Sequence, residues 1–277
     1  MTDNCPINDL DKILLATDGS EFSEGAVREA IYLAEKCSSH LTAIDVVEAN
    51  VEFAAHAPGI VQKQEKEARQ VLEAVKNKAV ASGVDCEIET HTGESVYQII
   101  VDEARKKRVE LIVMGRRGMT GLKRVAMGSV TARVVGHAPC DVLVVPRECP
   151  IEFHTILAAT DGSPHGEAAA AEAIKIARKV GGSLIAFSAA PSEDKADAAN
   201  GNVQKVKQMA SAEGVACETM TAIGKPFARI IETAIDRKAD LIVVGCHGKG
   251  TLGKLLMGHV TDRVIGHSRC AVLVSSS

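Results

Sequence analysis

Apolar runs and amphipathic stretches alternate along this chain, and the alternation occurs twice. KILLAT (12–17) is apolar between its ends, the pattern of a short strand covered on both faces. SEFSEGAVREAIYLAEKC (20–37) then places Val27, Ala30, Ile31, Ala34 and Cys37 at helical spacing, which predicts an amphipathic helix. LTAIDVV predicts a second strand, and a charged helix is expected from about Val61 to Ala81, stopping at Gly83. VDCEIET and SVYQIIVDEARKK read as the third strand and third helix, and ELIVMG, SVTARVVGHA and DVLVVP as strand, helix and strand. Such alternation implies a parallel sheet with helices on both faces. Right-handed crossovers favour the doubly wound strand order 3-2-1-4-5.

The same text returns further on. KILLATDGSEFSEGAVREAIYLAEKC (12–37) is echoed by TILAATDGSPHGEAAAAEAIKIARKV (155–180), and GSVTARVVGHAPCDVLVV (128–145) by GHVTDRVIGHSRCAVLVS (258–275). Pro146 and Pro150 break regular structure between the copies. The expectation is therefore α/β: two tandem doubly wound, Rossmann-like domains, residues 1–148 and 153–277, each an open five-stranded sheet.

In such sheets ligands bind beyond the carboxyl ends of the strands, where the strand order reverses. That point lies between the first and fourth strands, which end at Asp18 and Gly115 in the first half and at Asp161 and Gly245 in the second. MGRRGMTGLKRVAMGS (114–129) leaves the fourth strand as a glycine-spaced basic loop, and VGCHGKGTLGKLLMGH (244–259) repeats the spacing. A loop that ends at a helix N-terminus offers unpaired amides and a positive dipole end to an anion. Gly115 and Gly118 are expected to let the backbone approach a ligand, Ser129 and Thr131 to donate to phosphate oxygens, and Arg116, Arg117, Lys123 and Arg124 to add charge. Asp18 is a candidate for a ribose hydroxyl or a water-held metal ion, and also for a simple cap of the following helix in TDGS. A lone G-x-x-G is ordinary turn chemistry; its repetition at the same place in both copies favours phosphate binding.

Composition narrows the function classes. Trp is absent and the formal net charge is −4, so the core is aliphatic and no global attraction to nucleic acid or an anionic membrane exists. No apolar run reaches the roughly 20 residues that span a bilayer, and MTDNCPINDLDK is no export signal, so a cytoplasmic protein with reduced thiols is expected. The eight cysteines show no close metal-type spacing, which disfavours a disulfide framework. Zinc at Cys246, His247, His259, His267 and Cys270 is disfavoured too. G-x-x-x-x-G-K-[ST], G-x-G-x-x-G after the first strand, the kinase motifs and a placeable Ser–His–Asp set are all missing.

G-x2-G-x9-G-[ST], from Gly115 through Gly118 to Gly128 and Ser129, resembles the ATP-binding signature of the universal stress proteins, and the resemblance spans both halves. It implies ATP or AMP as ligand, with magnesium as a candidate companion. It implies Thr17 and Asp18 on the adenosine side, Val46 meeting adenine through its backbone, and Gly115, Arg116, Gly118, Gly128, Ser129, Val130 and Thr131 around ribose and phosphates. The second-half counterparts are Asp161, Gly245, Gly248, Gly258 and Thr261, with His259 in place of Ser129, Ala189 in place of Val46, and a shorter stretch after the second strand. The second site is expected to be weaker or differently tuned. Similarity further implies that the fifth strands pair, joining the halves as a pseudo-dimer, with a homodimer of chains also open. The expected function is a nucleotide-binding stress-response or regulatory protein, not an efficient enzyme. The alternatives are a slow ATPase, a protein phosphorylating itself at Ser129 or Thr131, and a nucleotide-free scaffold.

Overall fold

The computed structural model describes residues 5–7, 10–118, 127–248 and 257–276. The first half contains β1 (Lys12–Ala16), α1 (Glu24–Cys37), β2 (His40–Glu48), α2 (Val51–His56), α3 (Pro58–Ala81), β3 (Cys86–Gly93), α4 (Val96–Lys107), β4 (Leu111–Gly115), α5 (Ser129–His137) and β5 (Asp141–Val145). The second contains β6 (Thr155–Ala159), α6 (Pro164–Val180), β7 (Ser183–Ala190), α7 (Ala196–Ala212), β8 (Cys217–Ile223), α8 (Pro226–Asp236), β9 (Leu241–Gly245), α9 (His259–His267) and β10 (Ala271–Ser275).

All ten strands form one sheet, in the order β3-β2-β1-β4-β5-β10-β9-β6-β7-β8. Each half thus has the expected 3-2-1-4-5 arrangement. The halves meet where β5 and β10 run antiparallel, Leu143 opposite Leu273. Within each half the pairing is parallel. Residues of β1 divide between two cores by alternation: Ile13 and Leu15 pack with α1 and α3, Leu14 and Ala16 with α4 and α5. The second half repeats this, with α6 and α7 on one face and α8 and α9 on the other. Among the described residues no helix is long and apolar enough to cross a membrane.

Two expectations change. The helix foreseen from Val61 begins at Pro58, a residue suited to a first turn because its missing N–H has no acceptor there. A short helix, α2, precedes it and buries none of its residues. The thiols are not uniformly reduced either: Cys5 and Cys37 form a disulfide with Cα atoms 4.4 Å apart. Their separation of 32 residues carries no motif, and only the packing of the segment before β1 against the end of α1 brings them together. Cys86, Cys140, Cys149, Cys217, Cys246 and Cys270 are free.

Candidate functional site

The sheet opens on both sides of β1 at its carboxyl end. The Thr17 N–H donates to the Ile44 carbonyl at 3.1 Å, the last rung between β1 and β2. Two residues further along β2, Val46 presents its main chain in the same direction, past the point where β1 has ended. Thr17 itself is buried: its hydroxyl donates to Ser23 Oγ at 2.9 Å and accepts from the Gly19 N–H, so it builds the turn after β1. Gly19 sits there at φ 68° and Gly162 at 72° in the second copy, a backbone conformation that suits glycine.

Asp18 Oδ1 accepts from the Ser20 N–H at 3.1 Å and the Ser20 hydroxyl at 2.7 Å. Its other oxygen lies against Gly118, where an added Cβ would come within 2.7 Å of Oδ2. Asp161 repeats both features, accepting from the Ser163 N–H at 2.9 Å and leaving 2.7 Å between Oδ2 and a Cβ at Gly248. The second glycine of each loop is therefore small because an aspartate rests on it. The first glycine is small because the neighbouring turn does: a Cβ at Gly115 would meet the Phe22 carbonyl at 2.7 Å, and one at Gly245 the His165 carbonyl at 2.7 Å. Gly115 thus serves close packing of the protein on itself.

Gly128 is the N-cap of α5, with its N–H donating to the Arg116 carbonyl at 2.9 Å; Gly258 does the same to Cys246 O at 2.9 Å. Thr131 is buried and its hydroxyl donates to the Gly115 carbonyl at 3.0 Å, as Thr261 does to Gly245 at 2.8 Å. Both hydroxyls pin the helix to the strand end. Ser129, in contrast, is exposed at the first position of α5, and Val130 is half-buried. The amides of Ser129, Val130 and Thr131 have no acceptor within the helix, as in any first turn, and sit at its positive end. His259 is exposed at the post of Ser129.

Arg116 reaches across to the second half. Its Nη1 donates to the Ser268 carbonyl there at 2.8 Å, so this cation is engaged between the halves. Burial, with Arg117 beside it, lowers its pKa from the ordinary value. Lys123 and Arg124 lie outside the described residues.

Asp45 was not foreseen. It precedes Val46 on β2, and burial together with the charge of Asp18 pushes its carboxyl up to about 6. The signal was present in the repeat: IDVV in the first half stands opposite FSAA in the second, where Ser188 accepts from Asn202 Nδ2 at 3.2 Å.

Beside the second loop a groove of about 680 Å³ opens between the halves, lined by His165, Cys246, His247 and Gly248 and by His137 and Cys140 of the first half. The rings of His165 and His247 lie 5.3 Å apart, and His247 Nε2 is buried without a hydrogen-bond partner among the described residues. The cysteines once considered with zinc are engaged separately. Cys246 Sγ contacts the Val135 carbonyl at 3.4 Å, while Cys270 Sγ lies 3.4 Å from Ser268 Oγ. Among the described residues one group, Glu89, His91 and Glu103, could converge on a metal ion, but Lys107 holds Glu89 at 2.8 Å and Lys106 holds Glu103 at 3.0 Å. It is read as an ion-pair network.

The duplicated sheet, with a glycine-spaced loop and helix N-terminus at each switch point, defines a tandem α/β protein of the doubly wound class. A family model described as the universal stress protein family matches residues 10–146 and again residues 152–276, and the chain belongs to that family. A universal stress protein of Methanocaldococcus jannaschii is 38% identical over 140 residues, covering 49% of this chain and 82% of the relative. One of Bacillus subtilis is 35% identical over 145 residues, covering 48% and 97%. The crystal structure of a universal stress protein from Archaeoglobus fulgidus shares the fold over 97% of this chain and 99% of its own, with a TM-score of 0.79 at 22% identity.

Proposed function

We propose that the first half binds an adenine nucleotide, ATP or AMP, and that the chain acts as a nucleotide-responsive stress or regulatory protein of the cytoplasm. The observation that carries this reading is the convergence of three features at one switch point. The first turn of α5 is tied to the end of β4 through Thr131 and the Gly115 carbonyl, the Asp18 carboxylate is packed on Gly118, and the Val46 main chain emerges beyond β1. Amides at a helix N-terminus suit phosphate oxygens, and a strand carbonyl suits an amino-purine donor. Where magnesium accompanies the triphosphate, Asp18 is the carboxylate on the loop that fits it. The second half keeps the Asp161–Gly248 contact but carries His259 and Ala189, so we propose weaker or different occupancy there.

The buried Thr131 hydroxyl is committed to Gly115 O, which leaves the exposed Ser129 as the acceptor that a self-phosphorylating reading would need. The same commitment of Thr131 and of the Gly128 amide supports a second reading, a nucleotide-free scaffold whose loops serve packing. Calorimetry with ATP separates the two. We expect stoichiometric binding by the wild type and at least a tenfold loss in Gly118→Ala, whose methyl must displace Asp18. Absence of binding to the wild type leaves the scaffold; equal binding by both proteins moves the ligand elsewhere.

A further inference from the structure

We propose that Arg116 is a positioning residue through which the second half sets the position of the α5 N-terminus, making ligand affinity in one half depend on docking of the other. The inference deepens the nucleotide reading and rests on it for the ligand, whereas the tie between the halves does not.

The two ends of Arg116 act in different places. Its carbonyl accepts the Gly128 N–H at 2.9 Å and so holds the N-cap of α5, the end where the ligand amides are. Its guanidinium donates at 2.8 Å to the carbonyl of Ser268, in the turn between α9 and β10. That turn is itself fixed. Ser268 is buried, its hydroxyl donates to the Cys270 carbonyl at 2.8 Å, and it accepts the Cys270 N–H at 3.1 Å. One residue therefore connects a phosphate-facing helix end to a rigid corner of the other copy.

The second half mirrors the arrangement with a weaker donor. Cys246 occupies the post of Arg116; its carbonyl accepts the Gly258 N–H at 2.9 Å, and its thiol reaches the Val135 carbonyl inside α5 at 3.4 Å. A guanidinium gives a charged, directional hydrogen bond, and a thiol a feeble one. Arg116 is thus held firmly by the neighbouring half, and Cys246 only lightly. The antiparallel meeting of β5 and β10 makes this crossing possible, because it sets the carboxyl end of one parallel sheet beside the amino end of the other.

The test uses the full chain as wild type, Arg116→Ala, Arg116→Lys and Ser268→Ala, with ATP, ADP and AMP measured by calorimetry. In ligand-free protein, hydrogen exchange is followed at Gly128 and Ala132, whose amides donate to Arg116 O and Gly128 O, and at Ala271–Leu273. We expect Arg116→Ala to weaken all three nucleotides by one common factor, on the order of tenfold, as for loss of one charged hydrogen bond. Arg116→Lys should recover most of it, since an ammonium can donate to the same carbonyl, and Ser268→Ala should lower affinity in the same direction. Exchange should quicken in both segments of Arg116→Ala. A loss that grows steeply from AMP to ATP would make Arg116 a phosphate ligand and overturn the proposal, as would unchanged affinity and exchange. If the wild type binds no adenylate, the nucleotide reading fails, and the exchange comparison alone decides for or against the tie.

Discussion

At the scale of single residues, Asp45 has a measurable consequence. A carboxyl whose pKa rises on folding favours the folded state only while protonated. The unfolded chain releases that proton near 3.8 and the folded one near 6, so stability is lost as pH rises through this window and stays lost above it. Asp45→Asn should therefore stabilise the protein at pH 7 by roughly 1–3 kcal/mol, with the gain fading below about pH 4. Urea titrations at pH 4 and pH 7 check this, and a gain independent of pH would refute the assigned cause. Asp45 escaped notice in the sequence because a half-buried aspartate on a strand looks like any other polar position until its neighbours are known. The glycines were easier to find than to interpret: their spacing was plain, but whether a ligand, an aspartate or a carbonyl occupies the missing Cβ space is a three-dimensional question.

At the scale of elements, the 3.6- and 2-residue periods located the strands and most helices because each buries a stripe or face against the sheet. The short helix α2 left no such trace. It buries nothing, and its Val51 and Phe53 are exposed. The Cys5–Cys37 disulfide was equally illegible, joining the segment before β1 to the last turn of α1 across 32 residues. Closing a loop of that length restricts the unfolded chain, so Cys37→Ser, or reduction of the wild type, should lower stability by about 2–4 kcal/mol. Thermal unfolding with and without reductant reads the effect; identical curves would mean that the bond contributes nothing in solution.

At the scale of the whole molecule, the repeat in the sequence foretold two copies and the family resemblance their joining through the fifth strands, whereas the crossing contacts of Arg116 and Cys246 depend on packing that no local pattern encodes. Because β5 and β10 are interior strands of one sheet, the halves should unfold together. Calorimetry is expected to show a single transition. Leu273→Ala, at a residue 1% exposed opposite Leu143, should move it as a unit at a cost of about 2–5 kcal/mol. Two separate transitions, with only the later one displaced, would mean independent halves.

The continuous sheet also leaves β3 and β8 as its two rims. Both carry acidic side chains already matched to cations, Glu87 and Glu89 to Lys107 on one rim and Glu218 to Arg237 on the other. A foreign strand arriving alongside would have to strip water from these pairs before gaining a single ladder bond. Growth of the sheet by lateral addition is thereby opposed at both margins.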